Sequence, residues 1–300
     1  MDKRLTPAAA GLLIIPPMLW AGNAVVGRMM APLVSPMTLN LLRWTLAGLV
    51  LLPMAGGILR SGSPLWTQWR WFAWISLFSI GGYNALLYLA LNTSTPINVT
   101  LVGASTPIWM LLIGRIFYAT EITPRQLLGA ALSMAGVALV LSRGEWDTLR
   151  SLRLVAGDIY ILLASMAWAY YSWLIAHPPA ATAPVRSHWA PFLLGQIAFG
   201  LVWSSAFSAA EWTWTPAHID WSPAVCAALA FIALGPAVTA YATWGAGVAR
   251  AGPAIAGFFI NLTPLFTALL SSAFLGEAPH LYHGVAFVLI VAGIAFSSRR

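Results

Sequence analysis

Long apolar stretches alternate with short polar or proline-containing segments along the whole chain. An α-helix needs about 20 mainly apolar residues to cross the roughly 30 Å hydrocarbon core of a bilayer. Stretches of that length occur near residues 8–28, 36–57, 70–91, 95–117, 125–142, 155–176, 189–209, 223–248, 253–275 and 281–297. The pattern therefore predicts an all-α integral membrane protein with ten transmembrane helices.

The first apolar stretch could also be a secretory signal peptide, because MDKRLTPAAAGLLIIPPMLWA has a basic start and an apolar middle. The stretch continues to about Val26, however, which is long enough to span a membrane, and comparable segments follow it. We therefore predict an uncleaved first transmembrane helix.

The predicted spans form two groups of five, separated by the hydrophilic segment SRGEWDTLRSLR. Short motifs match between the groups at nearly constant spacing: Trp20-Ala21 with Trp168-Ala169, Pro96 with Pro253, Thr106-Pro107 with Thr263-Pro264, and Ala135-Gly136 with Ala292-Gly293. We interpret these matches as an internal repeat, with units at 1–143 and 155–300 joined by a linker at 144–154. Because five is odd, the repeats cross the membrane in opposite directions, as in many transporters that use alternating access.

Composition and charge agree with a membrane location. The 300-residue chain is 60% hydrophobic and 8% charged, whereas about a quarter of the residues are charged in soluble domains. Its basic residues are scattered, so the net charge of +7 does not predict a nucleic-acid partner. With cytoplasmic termini, most basic residues obey the positive-inside rule: Lys3, Arg4, Arg60, Arg70, Arg115, Arg125, Arg186, Arg250, Arg299 and Arg300. We expect a multi-pass, monomeric protein surrounded by the lipid of a bacterial-type inner membrane.

Motifs in both repeats resemble the EamA domain of the drug/metabolite transporter superfamily. The second half of that domain is matched by STPIWMLLIGRIFYATEITPRQLLGAALSMAGVALVL and LTPLFTALLSSAFLGEAPHLYHGVAFVLIVAGIAF, and the first half by WAGNAVVGR, LNLLRWTLAGLVLL and GDIYILLASMAWAYYSWLI. The resemblance covers nearly the whole chain and points most towards ten-helix metabolite exporters, including the YddG-like aromatic amino-acid exporters. It implies outward transport of a metabolite. The first repeat departs from the usual GE pattern by reading ATE at Glu121, whereas the second has Gly276-Glu277.

Interrupted helices near the membrane midplane mark the substrate site in transporters with inverted repeats. We predict breaks at Gly81-Gly82 in the third span and at Gly235-Pro236 in the eighth, and Asn84 and Tyr241 beyond them hold the same repeat position. Buried amides must face protein or water. The predicted cavity is lined by Trp20, Asn23, Arg43, Tyr83, Asn84, Tyr88, Trp168, Tyr171, Tyr241, Trp244 and Asn261. The alternatives are core packing for each aromatic residue and hydrogen bonding between helices for the amides.

Glycine and proline residues in the spans are candidate hinges for alternating access, because proline frees backbone carbonyls and permits bending. The predicted hinge residues are Pro16, Pro17, Gly81, Gly82, Pro96, Pro236 and Pro253. Static kinking is the alternative for each of them.

Arg43 places a full positive charge inside the otherwise apolar run NLLRWTLAGLVLLP. It lies seven residues, about 10 Å, from the start of its predicted helix. One possible role is structural, with the long side chain reaching the membrane interface or bonding neighbouring carbonyls. The other is functional, with the charge attracting a substrate carboxylate into the cavity.

Acidic residues are absent from the middle of the predicted spans, which disfavours a proton relay and favours facilitated transport. Glu121 and Glu277 are expected to bond or cap helix ends. The single cysteine, Cys226, and the absence of closely spaced His and Cys residues predict no disulfide, metal or cofactor.

An aromatic, amide-rich and charge-poor cavity suits a small amphipathic metabolite. We expect export of neutral or aromatic amino acids by alternating access. One alternative is an exporter of quaternary ammonium drugs bound by cation–π contacts, which Arg43 would oppose. An intramembrane enzyme has less support, because no nucleophile with a base, paired carboxylates or nucleotide motif is found at membrane depth.

Overall fold

The described residues form ten helices that are long and apolar enough to cross a membrane, which confirms the predicted all-α architecture. The computed structural model describes residues 5–94, 96–153, 155–275 and 280–298. The spans are numbered α1 to α10, and the two segments of a divided span share one label. In chain order they are Pro7–Met30, Pro36–Ala55, Trp69–Ser76 with Gly82–Thr93, Pro96–Gly103 with Thr106–Tyr118, Pro124–Leu141, Ala156–Ala176, Trp189–Trp214, Pro223–Ile232 with Ala240–Ala251, Pro253–Phe259 with Leu262–Leu275, and Leu281–Ser298. The predicted role of Glu277 falls outside the described residues.

Hydroxyl and proline residues explain where several spans begin. The Thr6 hydroxyl accepts a hydrogen bond from the backbone N–H of Ala9 at 3.2 Å, and proline follows in the first turn. Thr123 and Gln126 form a reciprocal capping box ahead of α5. These side chains satisfy backbone N–H groups that have no partner within the helix, and proline has no N–H to satisfy.

The predicted breaks in α3 and α8 are π-helical segments within continuous helical runs. They comprise Leu77–Gly81 and Ala233–Thr239. A Cβ atom on Gly82 would lie 2.7 Å from the Leu77 carbonyl oxygen, so glycine permits the wide turn. Pro236 lies inside the second segment, where its missing N–H removes one helical hydrogen bond. Such segments are frequent at functional sites because they alter the regular hydrogen-bonding pattern.

The other predicted hinge residues occupy two kinds of position. Pro16 and Pro17 lie inside α1, which stays helical through both. Pro96 and Pro253, in contrast, begin the first segments of α4 and α9. Proline at the start of a helix breaks no intrahelical hydrogen bond. Bending near Pro253 would therefore occur at the preceding Gly252, whose φ is +84°.

Two interruptions that the sequence analysis did not predict divide α4 and α9, next to the repeated Thr-Pro motifs. Asn261 joins them. Its Nδ2 atom donates to the Ala104 carbonyl at 3.3 Å and to the Ser133 hydroxyl of α5 at 2.9 Å. Asn261 thus bridges α9, α4 and α5, which is the structural alternative considered for the amides.

Helices α5 and α10 approach each other most closely at small residues. A Cβ atom on Gly129 would lie 2.6 Å from the Gly293 carbonyl oxygen, and one on Gly136 would lie 2.9 Å from the Ala286 carbonyl oxygen. Gly129 in the first repeat corresponds to Ala286 in the second, and Gly136 corresponds to Gly293. The Gly129–Gly293 contact and the Gly136–Ala286 contact are therefore equivalent under the repeat. The approximate two-fold axis of the inverted repeat therefore passes between α5 and α10.

The bundle has two ends, which we name by what they carry. The terminal face holds the start of α1 and the end of α10, and the linker face holds residues 142–153. Exposed tryptophans occur at both, with Trp66 and Trp69 near the terminal face and Trp214 and Trp221 near the linker face. Such placement is typical of the two membrane–water interfaces.

Candidate substrate site

An aromatic cluster lies in the interior of the bundle. We define this central aromatic cluster as Trp20, Trp44, Tyr83, Trp168, Tyr171, Tyr241 and Trp244. The centroid of the Trp168 ring lies 4.9 Å from that of Tyr83, 5.1 Å from those of Trp20 and Tyr171, 5.3 Å from that of Tyr241 and 5.5 Å from that of Trp244. The pairs are tilted or edge-on, as aromatic rings prefer.

Both repeats contribute to the central aromatic cluster. The first supplies rings from α1, α2 and α3, and the second supplies rings from α6 and α8. Trp168 is 2% exposed and Trp244 is fully buried. The six predicted residues Trp20, Tyr83, Trp168, Tyr171, Tyr241 and Trp244 are therefore close together, and their role in binding stays a prediction.

Two residues of this region were missed by the sequence analysis. Trp44 contacts Tyr241 with ring centroids 4.8 Å apart, and Asn40 donates to the Ile80 carbonyl at 3.1 Å. Asn40, Arg43 and Trp44 are spaced by three and four residues, which places Asn40 beside the other two on the helix surface. That spacing is the signal in the sequence by which Asn40 and Trp44 could have been found.

Arg43 is buried, with 2% of its surface exposed. Its Nη1 atom donates to the Tyr88 hydroxyl at 3.1 Å, and its Cζ atom lies 5.1 Å from the centroid of the Trp44 ring. The side chain therefore stays in the interior and does not reach the membrane interface. Within the described residues, no carboxylate pairs with it.

The predicted amides differ in their surroundings. Asn84 donates to the carbonyls of Ser79 and Ile80 in the π-helical segment, at 3.1 and 3.3 Å. Asn23 is 8% exposed, and its Oδ1 atom has no hydrogen-bond partner. Asn23 therefore leaves a free acceptor in the interior, whereas Asn84 stabilises the π-helical turn.

Several polar atoms near the central aromatic cluster are satisfied by protein groups. The Tyr171 hydroxyl donates to Gln196 Oε1 at 2.9 Å, and the Trp244 ring N–H donates to the Ser172 hydroxyl at 3.2 Å. The Trp20 ring N–H donates to the Pro236 carbonyl at 3.3 Å. These bonds hold the rings in fixed orientations.

Other buried polar atoms in the same region have no partner. They are Arg43 Nε, the ring N–H groups of Trp44 and Trp168, the Tyr241 hydroxyl, Asn23 Oδ1 and Asn40 Oδ1. Buried polar groups in folded proteins are nearly always hydrogen-bonded, and leaving one unsatisfied costs about 1–3 kcal/mol. A polar ligand that bonds to these atoms would remove that cost.

The linker face is closed by contacts between the two repeats, which we name the linker-face latch, formed by residues 33–38 and 208–220. Val34 and Ile219 form an antiparallel β-bridge. The Ser35 N–H donates to the His218 carbonyl at 3.0 Å, and the Asp220 N–H donates to the Leu33 carbonyl at 2.8 Å. These bonds join the α1–α2 loop to the α7–α8 loop.

Glu211, near the end of α7, completes the linker-face latch. One carboxylate oxygen accepts from the Met37 N–H at 2.9 Å, and the other accepts from the Thr38 N–H at 2.9 Å and its hydroxyl at 2.8 Å. These groups lie in the first turn of α2, where the helix dipole favours negative charge. Glu211 therefore caps α2 from the opposite repeat.

Replacing Glu211 with alanine is expected to lower the free energy of unfolding by about 1–2 kcal/mol, because the first turn of α2 loses its cap and its compensating charge. Thermal unfolding of the purified protein in detergent measures the change. The matched control is Glu145→Ala, since Glu145 is exposed and precedes a short helix without bonding to it through its side chain. Equal loss of stability in both variants would contradict the capping role.

The described residues contain no group of three or more His, Cys, Asp or Glu side chains that could hold a metal ion. Cys226 is free and exposed on α8.

The ten spans and the inverted repeat define a multi-pass membrane protein. The model of the EamA-like transporter family matches residues 8–142 and 155–299, once in each repeat, and the chain belongs to that family. This confirms the family that the sequence motifs resemble.

Two relatives are also named as transporters. The uncharacterized transporter YyaM of Bacillus subtilis is 26% identical over 225 residues, covering 75% of this chain and 71% of its own. An uncharacterized transporter of Archaeoglobus fulgidus is 23% identical over 289 residues and 96% of each chain. One solved crystal structure, 21% identical, has a TM-score of 0.75 over 98% of this chain and 97% of the other, a likeness of fold. The YddG-like group stays a prediction.

Proposed function

We propose that the protein is a carrier and not an enzyme, and that it exports small amphipathic metabolites, most simply neutral or aromatic amino acids. The observation that carries this proposal is the central aromatic cluster, which is buried, shared by both repeats and adjacent to the buried cation Arg43. Aromatic faces suit an apolar body, and a few convergent polar atoms suit a head group.

Transport proceeds by alternating access in this proposal, with both termini in the cytoplasm of a bacterial-type inner membrane and the linker face outside. The linker-face latch closes the outer side. On the terminal face, where α2 ends and α7 begins, a surface cavity of about 350 Å³ is lined by residues that include Met54, Ser63, Pro184 and Pro191. The closed linker-face latch supports a form closed to the outside.

Uptake of a labelled amino-acid panel into liposomes containing the purified protein tests the proposal. We expect saturable flux of aromatic or other neutral amino acids that is unchanged by an imposed pH gradient, because the described spans hold no acidic side chain at their middle. Flux of a lipophilic cation with none of any amino acid would identify a drug exporter instead.

Substitution of Trp168 by alanine is expected to reduce that flux about tenfold or more, because the ring contacts several others that form the site. Trp214→Ala is the matched control, since Trp214 is 84% exposed near the linker face. Equal flux in both variants, at equal amounts of folded protein, would remove Trp168 from the site.

A further inference from the structure

We infer that Arg43 and the ring N–H of Trp44 bind the carboxylate of the transported molecule, so that the protein selects substrates with a free carboxylate and rejects their amides. This inference rests on the proposed function and names the chemical group that the same site requires. It uses the polar atoms in the interior that protein groups leave unsatisfied.

The first argument is charge. Arg43 is 98% buried, and within the described part of the chain no carboxylate pairs with it. A buried cation without a partner is strongly unfavourable. The acidic residues near the spans are used elsewhere, since Glu211 caps α2 and Asp158 accepts from the N–H of Val155. A substrate carboxylate would supply the missing negative charge.

The second argument is geometry. The one hydrogen bond that Arg43 donates within the described chain runs from Nη1 to Tyr88, while Nε is buried without a partner. The edge of the guanidinium formed by Nε and Nη2 is therefore left for a ligand. A carboxylate fits this edge with two parallel hydrogen bonds, an arrangement that lysine cannot reproduce.

The third argument is the position of Trp44 next to Arg43. Its guanidinium carbon lies 5.1 Å from the centroid of the Trp44 ring, and the ring N–H of Trp44 is a second buried donor without an acceptor. Two unsatisfied donors on adjacent residues suit an anion that accepts several hydrogen bonds. They do not suit a lipophilic cation.

Asn23 supplies a polar atom for the opposite end of the substrate. Asn23 Oδ1 is a buried acceptor without a partner, and it comes from the same helix as Trp20 of the central aromatic cluster. Trp20 and Asn23 are three residues apart and are therefore neighbours on the surface of α1, and an acceptor next to an aromatic ring suits an ammonium group. Donors on α2 and an acceptor on α1 together match the two charged ends of an amino acid.

Competition experiments test the requirement for a carboxylate. Unlabelled L-phenylalanine and L-phenylalaninamide compete with labelled L-phenylalanine for uptake into liposomes containing the wild-type protein. We expect the amide to compete about 100-fold more weakly, because it has no negative charge for Arg43. Equal competition by the two compounds overturns this inference and leaves the proposed function intact. If folded protein transports no amino acid of the labelled panel, this inference and the proposed function are overturned together.

Variants identify the residue that binds the carboxylate. Arg43→Gln is expected to reduce the preference for the acid over the amide to less than about threefold, and Arg43→Lys to weaken acid binding about tenfold while keeping the charge. Arg70→Gln is the matched control, because Arg70 also lies beside a tryptophan, 5.6 Å from the Trp69 ring centroid, but is exposed. A full acid preference in folded Arg43→Gln protein would overturn the assignment. If Arg43→Gln does not fold, Arg43→Lys and the competition between acid and amide in the wild-type protein test the inference instead.

Discussion

A disulfide between positions 34 and 219 is expected to stop transport and to release it again on reduction. Val34 and Ile219 lie opposite each other in the linker-face latch, and the backbone bonds run between the residues on either side of them. They are thus a non-hydrogen-bonded pair, in which the Cα atoms of antiparallel strands are about 4.5 Å apart. A disulfide accepts Cα separations of about 4.4–6.8 Å, so the cross-link forms without moving the backbone.

The effect of this cross-link is large because it joins loops of opposite repeats. If the outer side must open in each cycle, a covalent bond across the linker-face latch blocks every cycle. Val34→Cys and Ile219→Cys are introduced together with Cys226→Ser, and uptake is measured after oxidation and after reduction. The single-cysteine variants, treated identically, are the controls. Undiminished uptake by fully cross-linked protein would show that the latch does not need to open.

The ten spans and the repeat could be predicted from the sequence because the membrane imposes a length and an apolar composition on each helix. Proline also occurs in the first turn of several spans, as at Pro7 and Pro124, and this local signal of a helix start is present in the sequence. The predicted breaks marked the right places in α3 and α8, but glycine and proline content does not distinguish a broken helix from a π-helical turn.

The candidate site was less predictable because it depends on how each helix is rotated. Apolar composition on all sides of a span gives no hydrophobic face by which to orient it. The burial of Arg43 next to Tyr88 therefore became visible only from the packed bundle. Glu211 illustrates the same limit, since its partners Met37 and Thr38 lie in the other repeat.

The α5–α10 contact is where a small change is expected to have the largest effect on stability. A Cβ atom on Gly293 would lie 2.6 Å from the Gly129 carbonyl oxygen and 3.1 Å from the Ser133 backbone nitrogen. Backbone atoms of a helix cannot move aside individually, so a larger side chain must separate the helices along their contact. Overpacking in a dense interior costs about 1–3 kcal/mol, and we expect Gly293→Val to reach at least the upper end.

The same helix provides the control for this prediction. Gly284 has no neighbouring atom within 4 Å of the position that a Cβ would occupy, so Gly284→Val adds the same side chain to α10 without a clash. Both substitutions alter helix propensity similarly, and the difference in unfolding temperature in detergent isolates the packing term. The Gly136–Ala286 contact is equivalent to the Gly129–Gly293 contact under the repeat. Gly136→Val should therefore destabilise the protein comparably, because a Cβ atom at position 136 meets the Ala286 carbonyl oxygen and Ile290. A Gly293→Val protein as stable as Gly284→Val would show that α5 and α10 can separate at this contact without a loss of stability.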